Sequence, residues 1–288
     1  MYLIKAPTGR IIIARGNAPG YHVLLKPGAT PLAFTLSHTM INQVSFRFYA
    51  ELNDFLPSER RMVSFVHSID KNPSVKDTIE ALGVPHTEVD LILVNGESVD
   101  FAYLLQNGDK ISVYPVFETI DITPLLRVRP QPLREIRFVL DVHLGKLANH
   151  LRMFGFDTWY RNDYEDAQLA EISCHEKRIL LTRDMGLLKR SMVTHGYFLR
   201  ETNPKRQLRE VLRRFDLFKV IAPFERCISC NGLVHPVDKG EISEQVPADT
   251  LQYYETFYRC DSCKKIYWKG SHYQKMHQFV QEIVKEGA

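Results

Sequence analysis

The sequence predicts an α/β protein: a parallel sheet flanked by helices, with a small α+β unit before it and a metal-bound ribbon after it. Three observations carry this prediction. Residues 136–215 alternate short apolar runs with helical spacing, residues 44–118 run strand, strand, helix, strand, strand, and the C-terminal part holds two Cys-x-x-Cys pairs. Strands alternating with helices lay down a parallel sheet with helices on its faces.

A length of 288 residues predicts two or three compact units, and 44% hydrophobic with 25% charged residues is enough for ordinary buried cores. No apolar run approaches the roughly 20 residues that span a membrane. The first residues lack a secretory apolar stretch of about 7–15. A cytoplasmic protein with no membrane partner is expected.

Residues 1–43 are an extension of uncertain structure, in which Pro7, Gly16, Pro19, Gly20, Pro27, Gly28 and Pro31 interrupt any long period; Met40 is an alternative start. In 44–118, Val44, Phe46 and Phe48 alternate with polar neighbours as a half-buried strand does, and Met62, Ser64 and Val66 suggest a second strand. Ser74 opens a helix whose apolar face is Val75, Ile79 and Leu82, and Gly83 stops it. Strands follow at Asp90–Val94 and Lys110–Tyr114, with turns at Asn95-Gly96 and Asn107-Gly108. This is the order of a β-grasp, or ubiquitin-like, domain. Residues 119–135, with Pro124, Pro130 and Pro132, read as a linker.

The parallel-sheet domain is expected over 136–219. Its strands fall at Ile136–Leu140, Asp157–Tyr160, Arg178–Thr182 and Tyr197–Arg200. Helices follow from Leu144 to Phe154, from Asp166 as N-cap to about Glu176, briefly from Met185, and from Asn203-Pro204 to Phe215. Residues 220–288 complete the chain as a ribbon and a short helix from about Tyr273 to Lys285.

Cys227, Cys230, Cys260 and Cys263 bracket a 29-residue insert. Each Cys-x-x-Cys turn points two sulfurs at one centre, and zinc takes four thiolates tetrahedrally. A closed four-sulfur site is structural and supplies folding free energy on the order of 10 kcal/mol. Around Tyr267, Trp268 and Tyr273, the cations Lys264, Lys265 and Lys269 suit phosphate contact with base stacking; packing of a small ribbon core accounts for Tyr267 and Trp268 equally well.

Parallel sheets bind ligands at the carboxyl ends of their strands. Asp141, Asp184, and the pair Asp163 and Asp166 all follow strands, as do Glu201 and Asn203. Gathered acids repel unless cations bind, and Mg²⁺ or Mn²⁺ takes such oxygen ligands and can promote phosphodiester hydrolysis. Asp166 alone is equally readable as a helix cap, and His143 as an exposed loop histidine. The net charge of +3 is segmented, with 6 Lys/Arg against 12 Asp/Glu in 44–118 and 18 against 11 in 127–215. Lys146, Arg152 and Arg183, with Lys205, Arg206, Arg209 and Arg213 on the last helix, are candidates for nucleic-acid phosphates; the helix stripe is also readable as a solvated face.

The stretches FVLDVHLGKLANHLRMFGFDTWYRND, LLTRD, CISCNG, CDSC and YWKGSHY together resemble the Mut-seven C-terminal RNase family, over about residues 44–277. The resemblance implies a PIN-like nuclease fold with a zinc ribbon and an N-terminal ubiquitin-like domain. It implies a ribonuclease whose acids are Asp141, Asp166 (or Asp163) and Asp184, with Glu201 or Asn203 as a fourth. RNA rather than DNA as substrate rests on the resemblance alone. A non-catalytic RNA-binding or ribosome-associated adaptor is the alternative. The ubiquitin-like segment also resembles sulfur carriers, but those end in a free Gly-Gly, and here the chain continues through Phe117 and Glu118. A docking role toward a protein partner is expected instead.

Overall fold

Two hydrophobic clusters organise the larger part of the molecule, one under a five-stranded mixed sheet and one against a four-stranded parallel sheet. The computed structural model describes residues 2–5, 11–14, 42–115, 127–128 and 135–287. Most of the expected linker and most of residues 1–43 lie outside the described residues. The chain divides into two compact units, Met1–Met40 and Ile41–Ala288. In the first, β1 (Tyr2–Lys5) and β2 (Ile11–Ala14) pair antiparallel, a ladder that the sequence reading did not anticipate.

The second unit begins with β3 (Asn42–Phe48), β4 (Phe65–Ile69), α1 (Val75–Ala81), β5 (Leu91–Val94), β6 (Glu97–Val99) and β7 (Lys110–Tyr114). The sheet order β4-β3-β7-β5-β6, with β3 and β7 parallel at its centre, is the β-grasp. Alternation in β3 buries Val44, Phe46 and Phe48 against Ile79 of α1. Ser74 caps α1 through the Asp77 amide at 3.0 Å. The second strand starts later than expected, because Met62 sits in the left-handed region (φ 59°) and is exposed; β6 was not foreseen.

The parallel sheet consists of β8 (Phe138–Leu140), β9 (Thr158–Trp159), β10 (Ile179–Thr182) and β11 (Gly196–Phe198), in the order β11-β10-β8-β9. Four helices connect and cover it: α2 (Gly145–Met153), α3 (Asp166–His175), α4 (Met185–Leu188) and α5 (Pro204–Arg214). Asn203 caps α5 and Pro204 occupies its first turn, as expected. The cap of α3 is Glu165, in a reciprocal box with Gln168, so Asp166 stands in the first turn and is not the cap.

In the ribbon, β12 (Val234–Val237), β13 (Phe257–Cys260) and β14 (Ile266–Trp268) form an antiparallel sheet. Its insert carries two short helices, α6 (Lys239–Ile242) and α7 (Ala248–Tyr253). The last helix, α8 (Ser271–Glu286), leaves the ribbon and packs Val280 and Ile283 into the core of the parallel-sheet domain. Gly155, at φ +93°, ends the turn after α2 where an added Cβ would overlap the Ala222 carbonyl. No helix among the described residues is long and apolar enough to cross a membrane.

Both edges of the parallel sheet are covered by other parts of the chain. At β9 the Thr158 amide donates to Asn231 Oδ1 of the first zinc knuckle at 2.8 Å. At β11 the Phe198 amide donates to Glu88 Oε1 of the ubiquitin-like domain at 2.6 Å. Covering an open strand edge removes a template for aggregation.

Candidate active site and metal centre

The strand order brings the carboxyl ends of β8 and β10 side by side. Asp141 directly follows β8, only 8% exposed, with its amide bonded to the Leu181 carbonyl at 3.1 Å. Thr182, the last residue of β10, donates its hydroxyl to Asp141 Oδ2 at 2.6 Å and accepts the Asp184 amide at 2.9 Å. One buried hydroxyl therefore ties the two acids to a single edge. Thr182 is the threonine of the T-x-D motif by which the family resemblance picks out Asp184; its bond to Asp141, 41 residues earlier, has no signal in the sequence.

Asp184 Oδ1 caps α4 through the Gly186 and Leu187 amides at 2.6 and 3.4 Å. Among the described residues no side chain or amide donates to Asp184 Oδ2 or Asp141 Oδ1. Each acid thus keeps one oxygen for a ligand. Gly145 lets Tyr160 pack on the start of α2, since an added Cβ there would lie 2.6 Å from the Tyr160 hydroxyl, which itself donates to the Val142 carbonyl at 2.9 Å.

The other two candidate acids are engaged by arginines. Asp166 lies 3.7 Å from Arg190, and the exposed Asp163 pairs with Arg161 at 2.6 Å, which lowers its pKa. Among the described residues the acids do not form a set of three converging oxygens. Mg²⁺ commonly sits on one or two carboxylates with waters and substrate phosphates completing its shell. The pair Asp141 and Asp184 fits that habit. Of the two candidates for a further acid, Asn203 is spent on its cap, and Glu201 faces Arg206 at 3.9 Å. His143 is exposed.

The candidate phosphate-binding cations divide. Lys146 and Arg206 are exposed. Arg183 is exposed, and its guanidinium caps the carbonyls of Leu199, Arg200 and Glu201 at 3.0, 2.8 and 2.8 Å. Arg209 is held by Glu282 and Glu286 of α8 at 2.7 Å each, so it is neutralised within the protein. Arg152 must be corrected: it is 3% exposed and donates to the carbonyls of Thr158, Ile228 and Ser229 at 3.0, 3.1 and 3.0 Å. It has no face left for a phosphate. Burial draws its pKa down, opposed by the Cys230 and Cys227 sulfurs nearby.

The four cysteines converge with all sulfurs within 4.8 Å of one another. Cys227 and Cys263 sulfurs are 3.6 Å apart, and those of Cys230 and Cys260 are 3.4 Å apart. A tetrahedral ion with Zn–S bonds of about 2.3 Å needs sulfurs roughly 3.8 Å apart, so the residues fit zinc. The two knuckles repeat one geometry. Asn231 and Lys264, each following the second cysteine of its pair, adopt φ 74° and 61° and donate their amides to the Cys227 and Cys260 carbonyls. Burial alone would raise the Cys227 thiol, but hydrogen bonds from Tyr267 and the neighbouring cysteines bring it down to about 7. That favours the thiolate a metal requires.

Two protein-family models match the chain. The Mut7-C RNAse domain family matches residues 136–280, and the Mut7-C ubiquitin family matches residues 41–121. No curated protein matches the chain. Among solved structures, SAMP1 from Haloferax volcanii is similar at 17% identity and a TM-score of 0.22, covering 27% of this chain and 100% of its own.

Proposed function

Since the chain belongs to the Mut7-C RNAse domain family, we propose that it hydrolyses RNA phosphodiester bonds with a Mg²⁺ or Mn²⁺ ion held by Asp141 and Asp184. The observation that carries the proposal is the Thr182 hydroxyl, bonded at 2.6 Å to Asp141 and at 2.9 Å to the Asp184 amide. It fixes two acids on the ligand-binding edge of a parallel sheet, each with an oxygen to spare. Asp166, with Asp163 as the alternative, is the further acid of this reading, and either would have to leave its arginine and move toward Asp141 and Asp184 to reach the ion.

A divalent ion at such acids acidifies water and stabilises charge on the phosphoryl oxygens. The protein's part is positional. Thr182 orients Asp141, the α4 cap holds Asp184, and the exposed Lys146 and Arg206 attract the RNA backbone. The zinc of the ribbon is structural, because its four thiolates leave no open position. The ubiquitin-like domain braces β11 from within the chain and offers its remaining surface to a protein partner.

The arginines on Asp163 and Asp166 favour a second reading, a non-catalytic RNA-binding adaptor. Labelled single-stranded RNA incubated with the zinc-loaded protein, in Mg²⁺ and in EDTA, separates the two, with zinc content followed alongside. Products that form in Mg²⁺ and vanish in EDTA while zinc is retained support the nuclease. RNA binding that persists in EDTA without products in Mg²⁺ supports the adaptor.

A further inference from the structure

The ribbon, α8 and the segment entering the ribbon enclose a cleft of about 300 Å³. It lies away from Asp141 and Asp184. The Phe224 amide on its wall donates to the Met153 carbonyl at the last turn of α2, whereas Asp141 precedes the first turn. A nine-residue helix is roughly 13 Å long, which sets the separation along α2.

The walls are aromatic: Phe224, Tyr258, Tyr267, Trp268 and Tyr273. Phe224 packs one side on the core of the parallel-sheet domain and Trp268 meets Phe257 and Tyr254 at 6.4 Å each, while both still line the cleft. Phe224 has φ 66°, a left-handed conformation that a bulky residue takes only under constraint and that clusters at functional sites. The Tyr267 hydroxyl lies 3.0 Å from Cys227 Sγ, which anchors the ring to the zinc knuckle. The Phe224 and Tyr273 rings meet at 4.9 Å with their planes tilted by 45°, forming a wedge. Trp268 remains 37% exposed.

The rim carries positive charge. Lys269 is exposed, stands 5.9 Å over the Tyr273 ring and has no ion pair among the described residues. Lys265, 5.9 Å over Tyr267, lies off the lining and donates to the Ser229 hydroxyl at 3.0 Å, which leaves Lys269 as the rim cation. Glu225 is the acid on the lining. A volume near the lower end of small-ligand pockets takes one planar group, where a peptide would need a longer groove. Flat rings beside cations suit a base and its phosphate.

We infer that this cleft binds one unpaired base of a single-stranded RNA, with the adjoining phosphate on Lys269. The inference rests on the ribonuclease reading and gives that enzyme an anchoring point for single strands remote from the cut.

The chain has two tryptophans, Trp159 and Trp268, so Trp159→Phe leaves Trp268 as the sole reporter. The full-length zinc-loaded protein is titrated with a 2′-O-methyl RNA decamer, which resists cleavage, and with an abasic decamer of equal charge. The expected result is quenching of Trp268 and tighter binding of the base-bearing decamer. One stacked base is worth about 1–3 kcal/mol, or roughly 5- to 150-fold. Tyr273→Ala should abolish that gap, and Tyr273→Phe should keep it. Equal affinity for the two decamers, a gap insensitive to Tyr273→Ala, or no binding of either would overturn the inference. Cleavage of unmodified RNA by the same preparation reports separately on the ribonuclease reading: an active enzyme without base discrimination overturns the cleft alone.

Discussion

Replacing Arg152 by alanine should loosen the joint between the parallel sheet and the zinc ribbon rather than weaken RNA binding. The guanidinium donates to Thr158 at the sheet edge and to Ile228 and Ser229 inside the first knuckle, at 3.0, 3.1 and 3.0 Å. A hydrogen bond from a charged donor contributes about 1.5–3 kcal/mol, and a carbonyl left buried without a donor costs about 1–3 kcal/mol. These terms are not additive within one network, so a total of about 3–5 kcal/mol is expected, the range for large single-site losses. For a chain of this size that lowers Tm by roughly 6–15 °C. Arg152→Lys should recover a minority of the loss, since an ammonium lacks the planar fork that reaches two elements at once. The assay is thermal unfolding of the zinc-loaded protein, with zinc release to a chromogenic chelator, which should be faster in the alanine variant. A loss below about 0.5 kcal/mol, as at an ordinary surface site, together with weakened RNA binding, would refute this reasoning and return Arg152 to phosphate contact.

Three further outcomes follow from packing and charge. Glu88 is 1% exposed, takes the Phe198 amide at 2.6 Å and faces Arg200 at 3.3 Å; burial pushes its pKa up, with Arg200 and the amide opposing. Glu88→Ala should leave Arg200 with Asp54 alone as counter-ion and the Phe198 amide without its acceptor, and cost about 2–4 kcal/mol, with hydrogen exchange rising first at β11; unchanged exchange there would contradict the brace. Stripping zinc should unfold residues 227–268, whose own buried core is only Ile242, Val246 and Phe257, while α8 stays protected by Val280 and Ile283 in the other core. Simultaneous loss of α8 protection would contradict that division. Burial holds His150 below its ordinary 6.5, so the unfolded chain takes up that proton first as pH falls. Its contribution to stability is full above about pH 6.5 and declines as pH drops through the folded value; His150→Gln should flatten that part of the pH profile, and an unchanged slope would exclude His150.

Most strand and helix positions were legible because local pattern and tertiary environment agree. The alternation of Val44, Phe46 and Phe48, the Asn203-Pro204 start of α5 and the paired cysteines each carry their cause in a few adjacent residues. Asp141 and Asp184 were legible for the same reason, as acids at the ends of apolar runs. β6, with three residues, is too short to show a period, and the left-handed turn at Met62 shifted the register of β4. The Glu165 and Gln168 pair was the missed sign that Asp166 is not the cap of α3. Arg152 lies four places after Ala148 on α2, on its buried face, and that spacing alone argues against a phosphate role. The fates of Arg209 and Glu88 were not legible, because their partners Glu286 and Arg200 lie 77 and 112 residues away.

The central claim is that Asp141 and Asp184 share one divalent ion at the strand ends. Asparagine caps a helix as well as aspartate does, so Asp184→Asn keeps α4 while removing a metal-binding charge. Rates of Mg²⁺-dependent cleavage of labelled single-stranded RNA, measured for the native protein and this variant, test the claim. A loss of at least about 10²-fold is expected, the scale of removing one transition-state contact, with Tm and RNA affinity unchanged. Cleavage by Asp184→Asn at the native rate would contradict it.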